Sequence, residues 1–357
     1  MNINEEFPLA LAPGTILAGR YKIEQVLGQG GFGITYKAMD TKLEKDFAVK
    51  EYFPDLFSYR NANTVIPFSG ERTEDYDYGK KCFLAEAKTL ARFIDNEAVI
   101  RIHRYFEENN TAYFVMDYFQ GKSFDHYLKE KGGIIPFEEA EKLLVPVMDA
   151  LAAVHSEGII HRDVTPDNIY IKNDGKVVLL DFGSARYSLG DKSRMLDVIL
   201  KPGFAPKEQY IRKGRQGKFT DIYSLGATFY FAITGKIPPD SFERLEQDEL
   251  IPPRHLGVNI SSEKENAILR ALSVQASARF QTMDEFKDAL LNGLNITVRN
   301  DDTIVFSDDP ASDTLPKTVA MENSIPKTVA MEKSIPKTVA TDNSIPKTVA
   351  ADNSILK

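Results

Sequence analysis

The stretch His161-Arg162-Asp163-Val164-Thr165-Pro166-Asp167-Asn168 decides the fold, together with Asp181-Phe182-Gly183 further along the chain. Between them, two β-type runs flank Asp174-Gly175 and predict a hairpin. A hairpin brings the chain back to its starting edge, so Asp163, Asn168 and Asp181 are expected close together. Carboxylate and amide oxygens suit Mg²⁺, which favours Asn168 and Asp181 as ligands and leaves Asp163 to accept a proton from a hydroxyl.

A glycine-rich segment lies near the N-terminus. Gly28-Gln29-Gly30-Gly31-Phe32-Gly33 fits the pattern G-x-G-x-x-G. A dinucleotide-binding Rossmann site would require a helix next, but Ile34–Met39 has the composition of a second strand. The glycines are therefore expected in a β-hairpin whose backbone N–H groups can close over phosphates. A plain turn without a ligand is the alternative.

A lysine and a glutamate make a candidate pair. Phe47-Ala48-Val49-Lys50 reads as a strand that ends in a lysine, and Glu86 lies on a helix predicted over residues 78–93. An ammonium held by a carboxylate and directed at phosphate oxygens can fix a nucleotide. A solvated surface lysine is the alternative.

Two regimes of secondary structure precede the C-terminal region. Strand-type runs dominate residues 21–116 and helical patterns dominate residues 117–297, so the sequence predicts an α+β fold with a small sheet-rich lobe and a larger helical lobe after a short extension, 1–20. The predicted strands are 21–27, 34–39, 47–51, 99–106 and 112–118. The predicted helices of the second lobe are 123–131, 137–156, 220–234, 262–272 and 282–291, the last with a capping box of Thr282 and Glu285.

The C-terminal region, residues 298–357, is repetitive. Pro-Lys-Thr-Val-Ala begins at residues 316, 326, 336 and 346, and Phe306 is the one aromatic residue of the region. So little apolar area cannot offset chain entropy, which predicts a disordered tail. Phosphorylation of its repeated threonines would create a multivalent ligand for a phosphothreonine-reading partner; an inert linker is the alternative. These threonines are Thr318, Thr328, Thr338 and Thr348.

Composition excludes several classes of protein. The chain has 357 residues, a net charge of −8 and a single cysteine, Cys82. One cysteine cannot form an internal disulfide or a thiolate metal cluster. A negative net charge argues against binding nucleic acid through bulk electrostatics, and no apolar run reaches the ~18–20 residues that span a bilayer. We expect a soluble, cytoplasmic protein with neither nucleic acid nor membrane as a partner.

Taken in order, these motifs resemble the protein-kinase signature, most closely that of the bacterial eukaryotic-like Ser/Thr protein kinases, over about residues 21–295. Pro206-Lys207-Glu208, Asp221–Gly226 and Arg279 match later landmarks of the family. The resemblance implies a bilobal kinase-like fold. It also implies transfer of the γ-phosphoryl group of ATP, with Mg²⁺, to Ser or Thr hydroxyls of protein substrates.

The resemblance also assigns roles to residues. Asp163 would position and deprotonate the acceptor hydroxyl, Asn168 and Asp181 would hold Mg²⁺, and Lys50, anchored by Glu86, would orient the phosphates. The remaining residues expected at the nucleotide are Leu27, Gly28, Gln29, Gly30, Gly31, Phe32, Gly33, Thr35, Ala48, Met116, Asp117 and Phe119.

Two departures from the family pattern concern the catalytic centre. Thr165 stands where the family has lysine, and Lys201 stands where the family has threonine. We hypothesise that the Lys201 ammonium replaces the missing lysine near the phosphate. A weakened site in a nucleotide-binding scaffold, and a small-molecule kinase, are the alternatives. An activating phosphate, if there is one, is expected on Ser188 or Ser193, because the segment from Asp181 to Glu208 has no threonine.

Overall fold

A computed structural model describes residues 7–93, 96–182, 200–211, 214–293, 296–298 and 304–306. The chain divides into two units, Met1–Ser307 and Asp308–Lys357. Of the predicted disordered tail, residues 298–357, the segments 299–303 and 307–357 lie outside the described residues, and with them the four repeated threonines. Ser188 and Ser193 also lie outside the described residues.

Strands are concentrated in the first part of the described chain and helices in the second. The strands are β1 (Ile16–Leu17), β2 (Tyr21–Gly30), β3 (Gly33–Asp40), β4 (Lys45–Tyr52), β5 (Ser58–Asn61), β6 (Thr64–Pro67), β7 (Ile102–Glu108), β8 (Thr111–Asp117), β9 (Gly121–Ser123), β10 (Ile169–Lys172), β11 (Val177–Leu179), β12 (Ile296–Val298) and β13 (Ile304–Phe306). The helices are α1 (Glu71–Leu90), α2 (Phe124–Glu130), α3 (Phe137–Ser156), α4 (Lys207–Tyr210), α5 (Lys218–Thr234), α6 (Glu243–Glu246), α7 (Ser262–Ala271) and α8 (Met283–Asn292), with 3₁₀ turns at Pro253–Leu256 and Ala276–Ala278.

A six-stranded antiparallel sheet in the order β1-β2-β3-β4-β8-β7 forms the first lobe. The five predicted strands correspond to β2, β3, β4, β7 and β8, which confirms them. Their ends differ from the predicted ones by up to three residues: β2 extends to Gly30, and β7 starts at Ile102, because Val99 forms a separate parallel bridge with Leu179. The edge strand β1 lies within the predicted extension, so the sheet begins before Tyr21.

Strand β4 is buried on both faces, and the alternation of side chains explains what each face does. Ala48 and Lys50 line a cleft. Glu51 points to the opposite face, where its carboxylate accepts hydrogen bonds from the hydroxyls of Tyr36 (2.6 Å) and Tyr113 (2.8 Å) and from Arg60 (2.6 Å). The residue after the cleft lysine is therefore fixed by a satisfied buried ionic network.

The long segment between Lys50 and Glu86 packs on the first lobe. Its β5–β6 hairpin supplies Arg60, which also donates to the carbonyl of Leu9 at 2.5 Å. Phe53, before the hairpin, and Val65, within it, are fully buried. This segment therefore contributes to the core of the first lobe.

Helix α1 begins at Glu71, seven residues before the predicted start at Tyr78. Its first two turns are mainly charged, and Tyr76 is the buried residue among their described side chains, so they carry no apolar periodicity. The helix packs on β7 and β8, and an added Cβ at Gly79 would lie 2.1 Å from the hydroxyl oxygen of Tyr52 in β4. A side chain at residue 79 would therefore displace the buried Tyr52 ring or the helix.

Helices form the second lobe around α5, which is buried along almost its whole length. The densest apolar run, Leu225–Ile233, belongs to this helix, as expected for a helix in the centre of a lobe. Helices α3, α7 and α8 pack around it, and the predicted capping box at Thr282 and Glu285 is confirmed. None of the helices in the described residues is long and apolar enough to cross a membrane.

Two smaller sheets complete the fold. Strands β9, β10 and β11 form a three-stranded sheet that contains the predicted hairpin around Asp174-Gly175. Strands β12 and β13 pair antiparallel. Val298 and Ile304–Phe306 are the parts of the predicted tail that the structure describes, and their β-branched and aromatic residues suit strands.

Candidate active site

A cleft of about 390 Å³ opens beside the sheet of the first lobe and reaches the β10–β11 hairpin of the second. Most of the residues that were expected at a nucleotide line it: Leu27, Gly28, Thr35, Ala48, Lys50, Glu86, Met116, Asp117 and Phe119. Asn168 and Asp181 line its other side. The topology thus brings together residues that are far apart in the sequence.

The glycine-rich segment forms the tip of the β2–β3 hairpin. Gln29, Gly30, Gly31, Phe32 and Gly33 do not line the cleft; Gly30 pairs with Gly33 across the hairpin. An added Cβ at Gly33 would lie 2.4 Å from the carbonyl oxygen of Glu51, so this glycine is required by the approach of β4. Gly28 and Gly30 have open space around them, which leaves room for a ligand close to the backbone.

Lys50 pairs with Asp181 in this structure, not with Glu86. The Lys50 ammonium and the Asp181 carboxylate form an ion pair. The expected Lys50–Glu86 ion pair is not among those within 4 Å in the described residues, and Glu86 Oε1 is buried without a hydrogen-bond partner. Burial alone would lower the pKa of Lys50, but the neighbouring Asp181 carboxylate raises it above its usual value. Lys50 is therefore a charged ammonium next to both acids.

Replacing Glu86 by glutamine is expected to stabilise the fold at alkaline pH. Burial raises the pKa of Glu86 to about 8 from 4.5, although the Lys50 ammonium opposes this. The folded protein holds a proton that the unfolded chain releases, so the free energy of unfolding falls as the pH rises between these two values. Glutamine has no such proton, and we expect Glu86→Gln to exceed the wild type by roughly 1–3 kcal/mol at pH 8.

Denaturant unfolding at pH 8 and at pH 5 measures this effect, which should shrink at the lower pH. The exposed glutamate Glu249 supplies the matched control, since Glu249→Gln should leave the free energy of unfolding unchanged at both pH values. A Glu86→Gln variant that is less stable than the wild type at pH 8 would show that Glu86 is charged and paired.

The loop of residues 161–168, named the catalytic loop below because it carries the candidate base Asp163, is anchored by helix α5. The buried carboxylate of Asp221 accepts hydrogen bonds from the backbone N–H groups of His161 (2.8 Å) and Arg162 (2.6 Å) and contacts His155 Nε2 at 2.7 Å. Burial would raise the pKa of Asp221, but the hydrogen bond from His155 and the charges around it lower the pKa overall. A permanent carboxylate thus holds the start of the loop.

Asp163 and Asn168 contact each other directly. The Asn168 amide donates to the Asp163 carboxylate at 2.7 Å and to the Asp163 carbonyl at 2.8 Å. Asn168 keeps its side-chain oxygen available as an acceptor. Backbone strain marks this region, because Arg162 and Asp181 have φ of 69° and 53°, which non-glycine residues rarely adopt.

The donor set suits a hard divalent cation. An amide oxygen of Asn168 and a carboxylate of Asp181 face one cleft, and Mg²⁺ is commonly bound by one or two carboxylates together with substrate phosphates. No cluster of three or more His, Cys, Asp or Glu side chains forms a metal site within the described part of the chain. Asn168 and Asp181 therefore suit a metal ion whose remaining coordination positions are filled by phosphate oxygens and water.

Thr165 and Lys201, the two departures from the family pattern, are in contact. The Lys201 ammonium donates to the Thr165 hydroxyl at 2.7 Å and pairs with Asp167 at 3.0 Å. It lies 3.9 Å from the Asp163 carboxylate. The structure thus places this lysine beside the catalytic loop.

Sequence reasoning missed several residues of the site. His155 gave no signal, because a histidine on an apolar helix face usually belongs to the core. Most aromatic and aliphatic residues of the cleft lie on or next to strands and a helix that were predicted. Which face of each element would line the cleft depends on how the elements pack, and residue spacing does not give this. The cleft residues missed are Leu90, Ile100, Phe114, Tyr118, Ser123, Asp167, Tyr170, Leu180 and Phe182.

A second ion pair holds the segment that follows Lys201. Arg279 is 1% exposed, and its guanidinium donates to the two carboxylate oxygens of Glu208 at 2.6 and 3.2 Å. Residues 21–285 match the protein kinase domain family. The chain belongs to the protein kinase family. The pairing of Glu208 with Arg279 agrees with the position that the sequence assigned to them in the kinase domain.

The kinase domain is similar to bacterial proteins. A probable serine/threonine-protein kinase of Clostridium acetobutylicum is 32% identical over 304 residues, which are 84% of this chain and 43% of that protein. PknA, a serine/threonine-protein kinase of Nostoc sp., is 32% identical over 289 residues, 78% of this chain and 48% of that protein. The solved structure of PpkA-294 in its apo form has a TM-score of 0.70 at 35% identity and covers 79% of this chain and 99% of that one.

These comparisons confirm the predicted family and the two-lobed α+β kinase fold. The chain spans less than half the length of the Clostridium and Nostoc kinases. Protein kinases use ATP and a divalent metal and act on protein substrates.

Proposed function

We propose that this chain is a serine/threonine protein kinase that transfers the γ-phosphoryl group of ATP to protein hydroxyls. The observation that carries the proposal is the convergence of Lys50, Asn168 and Asp181 on one cleft, with Asp163 hydrogen-bonded to Asn168. These residues come from both lobes and are separated by up to 131 positions, as for Lys50 and Asp181.

The ammonium and the proposed metal ligands of the cleft suit a nucleoside triphosphate. Lys50 is a buried ammonium that would bind the phosphates in exchange for its present partner, Asp181. Asn168 and Asp181 would hold Mg²⁺. The bound metal would neutralise phosphate charge. Glu86, now without a hydrogen-bond partner on Oε1, is available to anchor Lys50 when Asp181 turns to the metal.

Asp163 is the proposed acceptor of the proton from the substrate hydroxyl. The hydrogen bond from Asn168 orients one carboxylate oxygen, and the side chain is about one-third exposed, so a hydroxyl can reach it. A positioned base of this type contributes typically about 10²–10⁴ to the rate.

Protein rather than small-molecule substrates are favoured by the segment around Glu208. Pro206–Glu208 and its buried partner Arg279 build a fixed surface next to the catalytic loop, and Gln209 donates to the carbonyl of Arg162 at 2.8 Å. The named relatives are serine/threonine-protein kinases, which supports serine and threonine as the acceptors.

Incubation of the purified chain with γ-labelled ATP, Mg²⁺ and casein tests the proposal, with identification of the labelled amino acid. Label on phosphoserine or phosphothreonine is expected. Nucleotide binding without transfer would instead favour the alternative, a kinase-fold scaffold. Label confined to a small molecule would favour a small-molecule kinase.

The repeated threonines are proposed as acceptors of the same activity. Thr318, Thr328, Thr338 and Thr348 share one local sequence, so a site that accepts one of them should accept all four. A phosphorylated tail would then bind a phosphothreonine-reading protein with an avidity that rises with the number of phosphates. No partner of this kind is needed for the phosphoryl transfer itself.

Mass spectrometry of the full chain after incubation with ATP and Mg²⁺ tests this use of the tail. Phosphate is expected on the repeats and should be lost in a variant with all four threonines replaced by alanine. A forkhead-associated domain serves as the binding probe, and its affinity should rise at least about tenfold between one and four phosphates. An unlabelled tail on an active enzyme would exclude autophosphorylation there.

A further inference from the structure

Lys201 is held in a fixed position next to the catalytic loop. Its ammonium contacts the Thr165 hydroxyl at 2.7 Å and the Asp167 carboxylate at 3.0 Å, and lies 3.9 Å from the Asp163 carboxylate. Within the described residues, Lys201 is the only lysine or arginine whose side-chain nitrogen lies within 4 Å of the Asp163 carboxylate. The acceptor site thus has one cation beside its proposed base.

The turn that carries Lys201 is pinned to the second lobe. The N–H groups of Phe204 and Ala205 donate to the Lys201 carbonyl, and the carbonyls of the same two residues accept from the hydroxyls of Ser224 and Ser241, both at 2.9 Å. This turn is therefore attached to helix α5 and to the segment just before α6.

Gly203 explains why the turn can lie so close to the lobe. Its φ is +80°, and an added Cβ would lie 2.4 Å from the carbonyl oxygen of Pro238. Backbone packing of this kind fixes the base of the lysine side chain. A charge held in advance stabilises a transition state better than one that must reorganise.

We propose that Lys201 is the cation that stabilises the transferring phosphoryl group, and that Asp167 holds it in place until the phosphate arrives. The inference rests on the proposed function and deepens it. A bond forms between the acceptor hydroxyl oxygen and the γ-phosphorus, while the bond from that phosphorus to the bridging oxygen breaks and its electron pair leaves with ADP. The hydroxyl proton passes to Asp163, and Lys201 forms no covalent bond.

The buried hydroxyl of Thr165 completes the arrangement. Thr165 is 1% exposed and accepts the hydrogen bond from Lys201, so the catalytic loop supplies the acceptor and the turn supplies the charge. Exchanging the two residue types would keep one ammonium and one hydroxyl in contact. The site would then receive its charge from the loop instead of the turn.

Four variants test the proposal: Lys201→Thr, Thr165→Lys, the double exchange, and Lys287→Thr as the control. Lys287 lies on α8 and pairs with Asp149 of α3, and neither residue lines the cleft. The readouts are kcat and the KM for ATP, together with the Kd for ADP and for ADP with aluminium fluoride, a mimic of the transferring phosphoryl group. The last two measurements require no turnover.

Lys201→Thr is expected to lower kcat about 10²–10³-fold while the KM for ATP changes less than about threefold. The affinity for ADP with aluminium fluoride should fall at least about tenfold and the affinity for ADP should stay unchanged. The double exchange should recover kcat to within about tenfold of the wild type, and the kcat of Lys287→Thr should equal that of the wild type. A purely structural role for Lys201 would not be rescued by moving the charge.

A Lys201→Thr variant with kcat within threefold of the wild type, or with unchanged affinity for ADP and aluminium fluoride, would overturn the proposal. A folded double exchange that is no more active than Lys201→Thr would do the same. If the double exchange does not fold, the affinity of Lys201→Thr for ADP with aluminium fluoride decides whether the proposal holds. A wild type that transfers no phosphate would refute the proposed function, whereas an active wild type unaffected by Lys201→Thr would refute this inference alone.

Discussion

Replacing Asp163 by asparagine is expected to lower kcat by about 10²–10⁴-fold and to leave nucleotide affinity close to that of the wild type. The amide keeps the size of the carboxylate and one oxygen to accept the hydrogen bond from Asn168, but it cannot take the proton of the acceptor hydroxyl. Steady-state transfer of labelled phosphate to casein, with the Kd for ATP measured separately, checks both expectations.

Asp174→Asn is the matched control for this change. Asp174 lies in the exposed turn of the β10–β11 hairpin and accepts from the backbone N–H of Lys176 at 3.0 Å. The same chemical substitution there should leave kcat unchanged. If Asp163→Asn retained wild-type kcat, another group would have to accept the proton, and the role proposed for Asp163 would be wrong.

Replacing Lys50 by methionine is expected to lower kcat/KM for ATP by about 10²–10³-fold. Methionine has a similar length and no charge, so the phosphates lose an ammonium and Asp181 loses its present partner. Since Lys50 is proposed to bind the phosphates in the ground state as well, the KM for ATP should rise, in contrast to Lys201→Thr. Kinetics over a range of ATP concentrations separate the two effects.

Lys45 provides a control on the same strand. It lies at the opposite end of β4, with its ammonium 5.3 Å from the centroid of the Phe47 ring, and its side chain is exposed. Lys45→Met should leave kcat/KM within about threefold of the wild type. A Lys50→Met variant with wild-type kcat/KM and wild-type stability would contradict the assignment of the phosphate-binding lysine.

The fold was largely predictable because its strands carry strong local signals. Ile34–Met39 identified a strand after the glycines, which excluded a Rossmann unit and is confirmed by β3. Asp174-Gly175 identified the hairpin that brings Asn168 towards Asp181. The β5–β6 hairpin was missed, since both strands have only four residues, β5 is mostly polar and β6 ends in a proline.

The composition of the site was more predictable than its pairing. The sequence placed Lys50, Glu86 and Asp181 at one site, and all three line the cleft. Which acid pairs with Lys50 depends on the position of helix α1 and on the strained backbone at Asp181, and neither can be read from residue spacing. The contact of Thr165 with Lys201 could be predicted from the sequence, because each of the two residues has the type that the family has at the other position.

The anchoring residues had weaker signals. Asp221 was recognised as a landmark of a helix, but its hydrogen bonds to the backbone of His161 and Arg162 depend on two segments packing together. A buried aspartate needs such donors, so its presence on an otherwise apolar helix could have indicated a loop docked there.

A crystal structure of the chain with a non-hydrolysable ATP analogue and Mn²⁺, located by its anomalous signal, tests the central claim most directly. We expect the metal against the side-chain oxygens of Asn168 and Asp181, the phosphates against Lys50, and Asp163 facing the terminal phosphate without binding the metal. A nucleotide bound outside the cleft, or a metal that neither Asn168 nor Asp181 contacts, would contradict the account.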